Sequence, residues 1–287
     1  MNSVVYAYHF IQWGNPQRPT LICLHGFTGT SNSFTFSNKE RNILAIDLIG
    51  HGKSDVFVHS YRYTLTSLVT DLSQLVYQLG IDDFYLLGYS MGARTALAWL
   101  IEQPRGIRGV IMEGGTPGIE SPNERKERQK IDNHLAQKLL TAPLTHFVDY
   151  WESLPLFDSQ KKLTQSMKKK IRLERLSQQS FGLALSLMYM GTGQQKNYWP
   201  FLGNIQVPLL YMVGEYDLKF QVIGAKIVKQ NNLFSYLEVP KSGHCIHLEQ
   251  PEIAESFVCD WMREVEKTDA NNENQANSIE TSFGKTL

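Results

Sequence analysis

Three short stretches of this chain hold residues that could do acid–base or nucleophilic work together. Gly88-Tyr89-Ser90-Met91-Gly92 sets a serine between two glycines. Asp217 closes the stretch "LLYMVGEYD", and His244 lies in "KSGHCIHLEQPE". A serine hydroxyl is a poor base and a poor nucleophile at neutral pH. It becomes useful when an imidazole takes its proton and a carboxylate orients that imidazole. The pattern G-x-S-x-G is weak by itself, because small residues often recur at that spacing. Its context here is the right one: the apolar run "DFYLLGYS" precedes it and the helix-like "GARTALAWLIEQ" follows it. On such a strand–turn–helix the serine sits on a sharp bend with its Oγ above a sheet, and the expected chain order is serine, acid, histidine. The flanking glycines leave room for the bend, and the helix start favours negative charge near Ser90.

Charge that develops on a substrate oxygen needs N–H donors. The backbone N–H of Met91 is one. The loop "HGFTGTSNSF", residues 25–34, offers a second in the N–H of Phe27, since its glycines let the chain approach a ligand closely. Alternatives exist for the other roles. His247 lies three residues beyond His244, though the "SGH" loop favours His244. His25 and His51 follow strands in "HG" turns and read as structural or pocket-lining. Asp47 precedes the serine and is the weaker candidate acid. Arg94 follows Ser90 by one helical turn, where a positive charge opposes the helix dipole. Either an anionic ligand or an acid from elsewhere in the fold must answer it.

The elements that would position these residues alternate along the chain. Strand-like runs are "TLICLHG" (20–26), "NILAIDLIGHG" (42–52), 83–90, "IRGVIMEGG" (107–115), 207–217 and "FSYLEVP" (234–240). Helical spacing marks 64–80, where Leu65, Leu68, Val69, Leu72, Leu75, Val76 and Leu79 share a face, and also 92–103 and 251–267. Apolar strands without alternation, separated by helices, predict a mostly parallel α/β sheet covered on both faces. Both Asp217 and His244 then fall on loops at the carboxyl edge of that sheet, where open α/β sheets bind ligands. The pattern breaks between 116 and 200, which reads as a helical cap inserted between two core strands. The expected division is a core of 1–115 and 201–267, a cap of 116–200, and a disordered polar tail from 268 to 287.

Composition narrows the classes. The chain has 287 residues with 28 basic and 28 acidic side chains, so there is no global pull toward nucleic acid or membrane. The balance is uneven: residues 121–200 hold thirteen lysines and arginines against seven acids. That segment is either a solvated helical surface or one that receives an anion. Three scattered cysteines (Cys23, Cys245, Cys259) suit reduced thiols in a cytoplasmic protein better than a disulfide framework or a zinc site. No basic leader with an apolar core opens the chain, and no apolar run would span a bilayer. A monomer or small homo-oligomer is expected.

The ordered set "LHGFTG", "DLIGHGKSD", "GYSMG", "GEYD" and "SGHCIHLEQPE" resembles the α/β-hydrolase superfamily over residues 1–267. Further stretches narrow the likeness: Arg94 after "GYSMGA", "NERKERQKIDNHLAQKL", "FVDYWESLPLF", "RLSQQSFGLALSLMYMGTGQQ" and "GEYDLKF". Together they resemble the 2-succinyl-6-hydroxy-2,4-cyclohexadiene-1-carboxylate synthase family of menaquinone or phylloquinone biosynthesis. That resemblance implies a carbon–oxygen lyase that eliminates pyruvate from a small polycarboxylate without cofactor or metal. It implies a triad of Ser90, Asp217 and His244, with Phe27 and Met91 forming the oxyanion hole. It also implies arginines against substrate carboxylates: Arg94, then Arg128 in preference to Arg125, and Arg175 in preference to Arg172. Tyr89 and Trp151 match the family's aromatic pocket residues. A C–C bond or carboxylester hydrolase would use the same triad, and a non-catalytic binding module could keep the fold. Three arginines are required by neither.

Overall fold

Seven strands form one sheet in the order β1-β3-β2-β4-β5-β6-β7, in a computed structural model that describes residues 4–37 and 41–283. The strands are β1 (Phe10–Gly14), β2 (Thr20–Leu24), β3 (Asn42–Ile46), β4 (Phe84–Tyr89), β5 (Ile107–Glu113), β6 (Leu209–Gly214) and β7 (Phe234–Val239). β1 pairs antiparallel with β3, and all other pairings are parallel. Every residue of β2, β3, β4 and β6 is buried, which is why their sequences are continuous apolar runs. Alternate residues of β2 serve opposite faces. Ile22 and Leu24 pack with α1 (Leu65–Gln78) and α2 (Met91–Glu102). Leu21 and Cys23 pack with Ala254, Val258 and Met262 of a C-terminal helix.

The chain leaves the sheet after β5 and returns at β6. Between them lie α3 (Pro122–Thr141), α4 (Leu144–Glu152), a 3-10 segment (Pro155–Lys162), α5 (Gln165–Leu176) and α6 (Ser180–Met190). α3 begins where Ser121 caps the Glu124 N–H and Pro122 occupies the first helical position. It stops just before Pro143. These helices have an apolar centre of their own, with Leu135, Leu139, Phe147, Leu183 and Leu187 packed together and Phe27 and Trp151 at its margin. α7 (Leu218–Val228), α8 (Ile246–Glu249) and α9 (Pro251–Phe283) complete the fold.

β1 is not legible in the sequence. α9 extends as far as Phe283, and residues 268–283 contain no glycine or proline to break the ladder. Residues 284–287 lie outside the described residues.

Candidate active site

Ser90 stands between β4 and α2 with φ 51° and ψ −101°, a conformation that non-glycine residues rarely adopt. The flanking glycines make this bend possible. A Cβ on Gly92 would lie 1.9 Å from the Leu24 carbonyl oxygen, and one on Gly88 would lie 2.2 Å from the Gly92 carbonyl oxygen. The Ser90 N–H donates to the Glu113 carbonyl at 2.8 Å, tying the bend to β5.

Two loops bring partners to the serine. Asp217 follows β6 and opens α7, and His244 follows β7. Ser90 Oγ lies 3.0 Å from His244 Nε2, and His244 Nδ1 lies 2.6 Å from Asp217 Oδ2. An imidazole that donates Nδ1–H to the carboxylate leaves Nε2 free to accept the serine proton. Both His244 and Asp217 are buried. The His244 ring is held among Phe220 (4.6 Å between ring centres) and Tyr89 (5.3 Å). Gly114, at φ 61°, gives the ring its space, since a Cβ there would come 2.8 Å from His244 Cε1.

His247 lies elsewhere. Its Nδ1 meets both carboxylate oxygens of Glu113 at 2.9 Å, and its ring stacks on Phe34. Burial disfavours its charge, but Cys245 and Glu113 outweigh that and hold its pKa well above the ordinary histidine value. The buried His247–Glu113 contact, with the Ile246 N–H also donating to Glu113, pins α8 to β5. His25 and Asp47 hold loops: His25 Nε2 accepts from the Leu48 N–H, and Asp47 accepts from the Ser31 and Lys53 N–H groups.

A cavity of about 130 Å³ opens above Ser90, lined among others by Phe27, Met91, Arg94, Arg128, Trp151 and His244. Among the described residues, neither the Phe27 nor the Met91 N–H has a hydrogen-bond partner. Trp151 Nε1 is buried without a partner as well. Arg94 is 8% exposed and forms no ion pair among the described residues. Its guanidinium donates to the Met190 carbonyl at 2.8 Å and approaches Gln195 Oε1 at 3.4 Å. Burial, and then the nearby Arg128, push its pKa down to about 10, against a smaller opposing pull from Asp132. Arg128 reaches the same cavity with its Nε bonded to Asp132 at 2.8 Å.

Arg175 does not line this cavity. It lies across the Phe157 ring, 4.9 Å from its centre, and bonds Glu152 and Gln160. It lines a smaller adjoining cavity that shares Phe27, Tyr89 and Phe157 with the first. Arg172 is committed to Asp149 and Glu152 at the surface. Lys219 lines the Ser90 cavity without an ion-pair partner among the described residues, and the sequence reading did not single it out. The signal was present as a cation two residues after the acid, at the carboxyl edge of the sheet.

Known proteins resemble this chain in sequence and in fold. Residues 19–251 match the family model of the alpha/beta hydrolase fold. The chain is 38% identical over 248 residues to a Bacillus subtilis (strain 168) protein provisionally named 2-succinyl-6-hydroxy-2,4-cyclohexadiene-1-carboxylate synthase, covering 85% of this chain and 90% of that one. It is 31% identical over 243 residues to the Escherichia coli K12 protein of that name, covering 83% and 91%. The structure of MenH from S. aureus matches with a TM-score of 0.84 at 31% identity, over 90% of this chain and 99% of the other. The chain therefore belongs to the α/β-hydrolase fold family and, within it, to the family of 2-succinyl-6-hydroxy-2,4-cyclohexadiene-1-carboxylate synthases.

Proposed function

We propose that this chain is a carbon–oxygen lyase that eliminates pyruvate from 2-succinyl-5-enolpyruvyl-6-hydroxy-3-cyclohexene-1-carboxylate, giving 2-succinyl-6-hydroxy-2,4-cyclohexadiene-1-carboxylate. The observation that carries this reading is Arg94, a buried guanidinium with no carboxylate partner among the described residues, beside the Ser90–His244–Asp217 relay. A substrate bearing several carboxylates supplies what Arg94 lacks. A neutral ester would leave that charge without an anion.

Ser90 Oγ takes a proton from the substrate carbon next to a carbonyl while its own proton passes to His244 Nε2. Asp217 steadies the imidazolium that results. The electron pair moves onto the carbonyl oxygen, between the Phe27 and Met91 N–H groups, and then returns to expel the enolpyruvyl oxygen. The C–O bond breaks, and pyruvate departs with the proton that His244 gives back. Arg94 and Arg128 hold carboxylates as forked donors, and Arg175 serves from the adjoining cavity. Trp151 and Tyr89 line the apolar side. The protein acts in the cytoplasm, consistent with three buried free thiols and with no described helix long and apolar enough to cross a membrane.

The test is product analysis with the substrate made by the preceding pathway enzyme. One pyruvate per conjugated diene supports the reading. Intact substrate, or a product that has gained water, contradicts it.

A further inference from the structure

The inserted helices also reach the loop that carries the Phe27 N–H. Glu174, on α5, uses one carboxylate oxygen for three hydrogen bonds to that loop. It accepts from the Thr30 N–H at 2.9 Å, from Thr30 Oγ at 2.5 Å and from Ser33 Oγ at 2.7 Å. Gln178, just past the end of α5, donates to the carbonyls of Thr28 (3.3 Å) and Gly29 (3.2 Å) and accepts from the Gly52 N–H (3.0 Å). On the core side the same loop has Asp47, which accepts from the Ser31 N–H at 2.6 Å.

Thr28 follows Phe27 directly and has φ 69°. A left-handed conformation is costly for a β-branched residue and persists only where its surroundings impose it. Gln178 bonds the carbonyl of that residue, and Glu174 bonds the residue two places later. Glu174 borders the adjoining cavity beside Arg175, but neither side chain lines the Ser90 cavity, so neither meets the reacting atoms.

We propose that Glu174 and Gln178 are positioning residues for the oxyanion hole. They make the location of the Phe27 N–H depend on how α5 is seated against the core. The inference rests on the reading above for the role of Phe27. It adds that the inserted helices do more than cover the substrate: they fix one of the two donors. The carboxylate contacts of the Ser90 cavity come from Arg94 on α2 and Arg128 on α3, and Arg175 on α5 keeps its own bonds to Glu152 and Gln160, so a loosened loop weakens the transition state and leaves substrate binding in place.

The experiment uses the full chain and three variants: Glu174→Ala, Glu174→Gln and Thr30→Val. It follows hydrogen–deuterium exchange of residues 26–33 together with steady-state pyruvate release. Glu174→Ala is expected to speed exchange in that loop by about 10-fold or more, since its anchoring bonds are lost. Its kcat falls about 10- to 100-fold, part of the loss from deleting one oxyanion donor, and KM stays within about 3-fold. Glu174→Gln keeps an acceptor oxygen and recovers most of kcat. Should Glu174→Ala fail to fold, Thr30→Val removes the shortest bond from the loop side and is held to the same outcomes. Unchanged loop exchange, or a rise in KM with kcat intact, overturns the proposal. If the wild type releases no pyruvate, the lyase reading fails, and the exchange data alone decide the anchoring.

Discussion

Arg94 stands one helical turn after Ser90 and shares its cavity, yet among the described residues its guanidinium bonds only the Met190 carbonyl and Gln195. A buried cation answered by neutral oxygens is held below its best interaction, and in the proposed reaction a substrate carboxylate would supply it. Arg94→Ala is therefore expected to lower kcat/KM by about 2–5 kcal/mol, the range for breaking a buried charge pair. Arg94→Lys recovers only part of this, because an ammonium cannot fork onto a carboxylate. Steady-state kinetics of both variants check it, and wild-type values in Arg94→Ala would leave this arginine a purely structural role.

The proposed mechanism makes the Ser90–His244–Asp217 relay act as a unit. Ser90→Ala and His244→Ala are each expected to cost at least about three orders of magnitude in kcat, and the double variant little more than either alone. Additive losses would mean that the two groups act in separate steps.

Gly114 tests the placement of His244 without touching the relay. Its φ of 61° and the 2.8 Å approach to His244 Cε1 leave no room for a methyl group. Gly114→Ala is expected to displace the imidazole from Ser90 and lower kcat by about 10-fold or more, in line with the sensitivity of catalysis to misplacement of about 1 Å. A parallel kcat measurement and thermal melt separate this from unfolding. Full activity in a folded variant would contradict the geometry.

Acid sensitivity follows from His51. Burial, and then the neighbouring His25, push its pKa down to about 3, and its Nε2 has no partner among the described residues. In the unfolded chain it takes up a proton near pH 6.5. Protons therefore favour the unfolded state: the stability His51 contributes is complete above pH 6.5 and is lost as pH falls toward 3. Between pH 6.5 and 5 the unfolding free energy of the wild type should fall more steeply than that of His51→Gln, by about 0.7 kcal/mol per pH unit at the upper end, rising toward about 1.4 at the lower. Urea titrations across that range measure both slopes, and equal slopes would remove His51 from the account.

What the sequence revealed is what local pattern encodes. The buried strands announce themselves as apolar runs, and the glycines around Ser90 mark a bend that their close backbone contacts explain. β1 escaped because Phe10–Gly14 is a five-residue edge strand whose burial is only partial. Glu174 escaped because Thr30 lies 144 residues away, and no local spacing joins them. The arginines show the limit most clearly. Helical spacing places Arg172 and Arg175 near one another on α5, but only tertiary packing sets Arg175 over the Phe157 ring, which itself lines the Ser90 cavity. The basic excess of residues 121–200 is likewise mixed: Lys130, Lys161 and Arg172 are ordinary surface pairs, while Arg128 reaches the cavity.

The most direct test of the central claim is the initial rate of pyruvate release, followed by reduction with lactate dehydrogenase, for the wild type and Ser90→Ala on freshly made substrate. The account predicts rapid release by the wild type and release by Ser90→Ala at least about a thousandfold slower. Release at the same rate by both proteins, or by neither above the spontaneous rate, would contradict it.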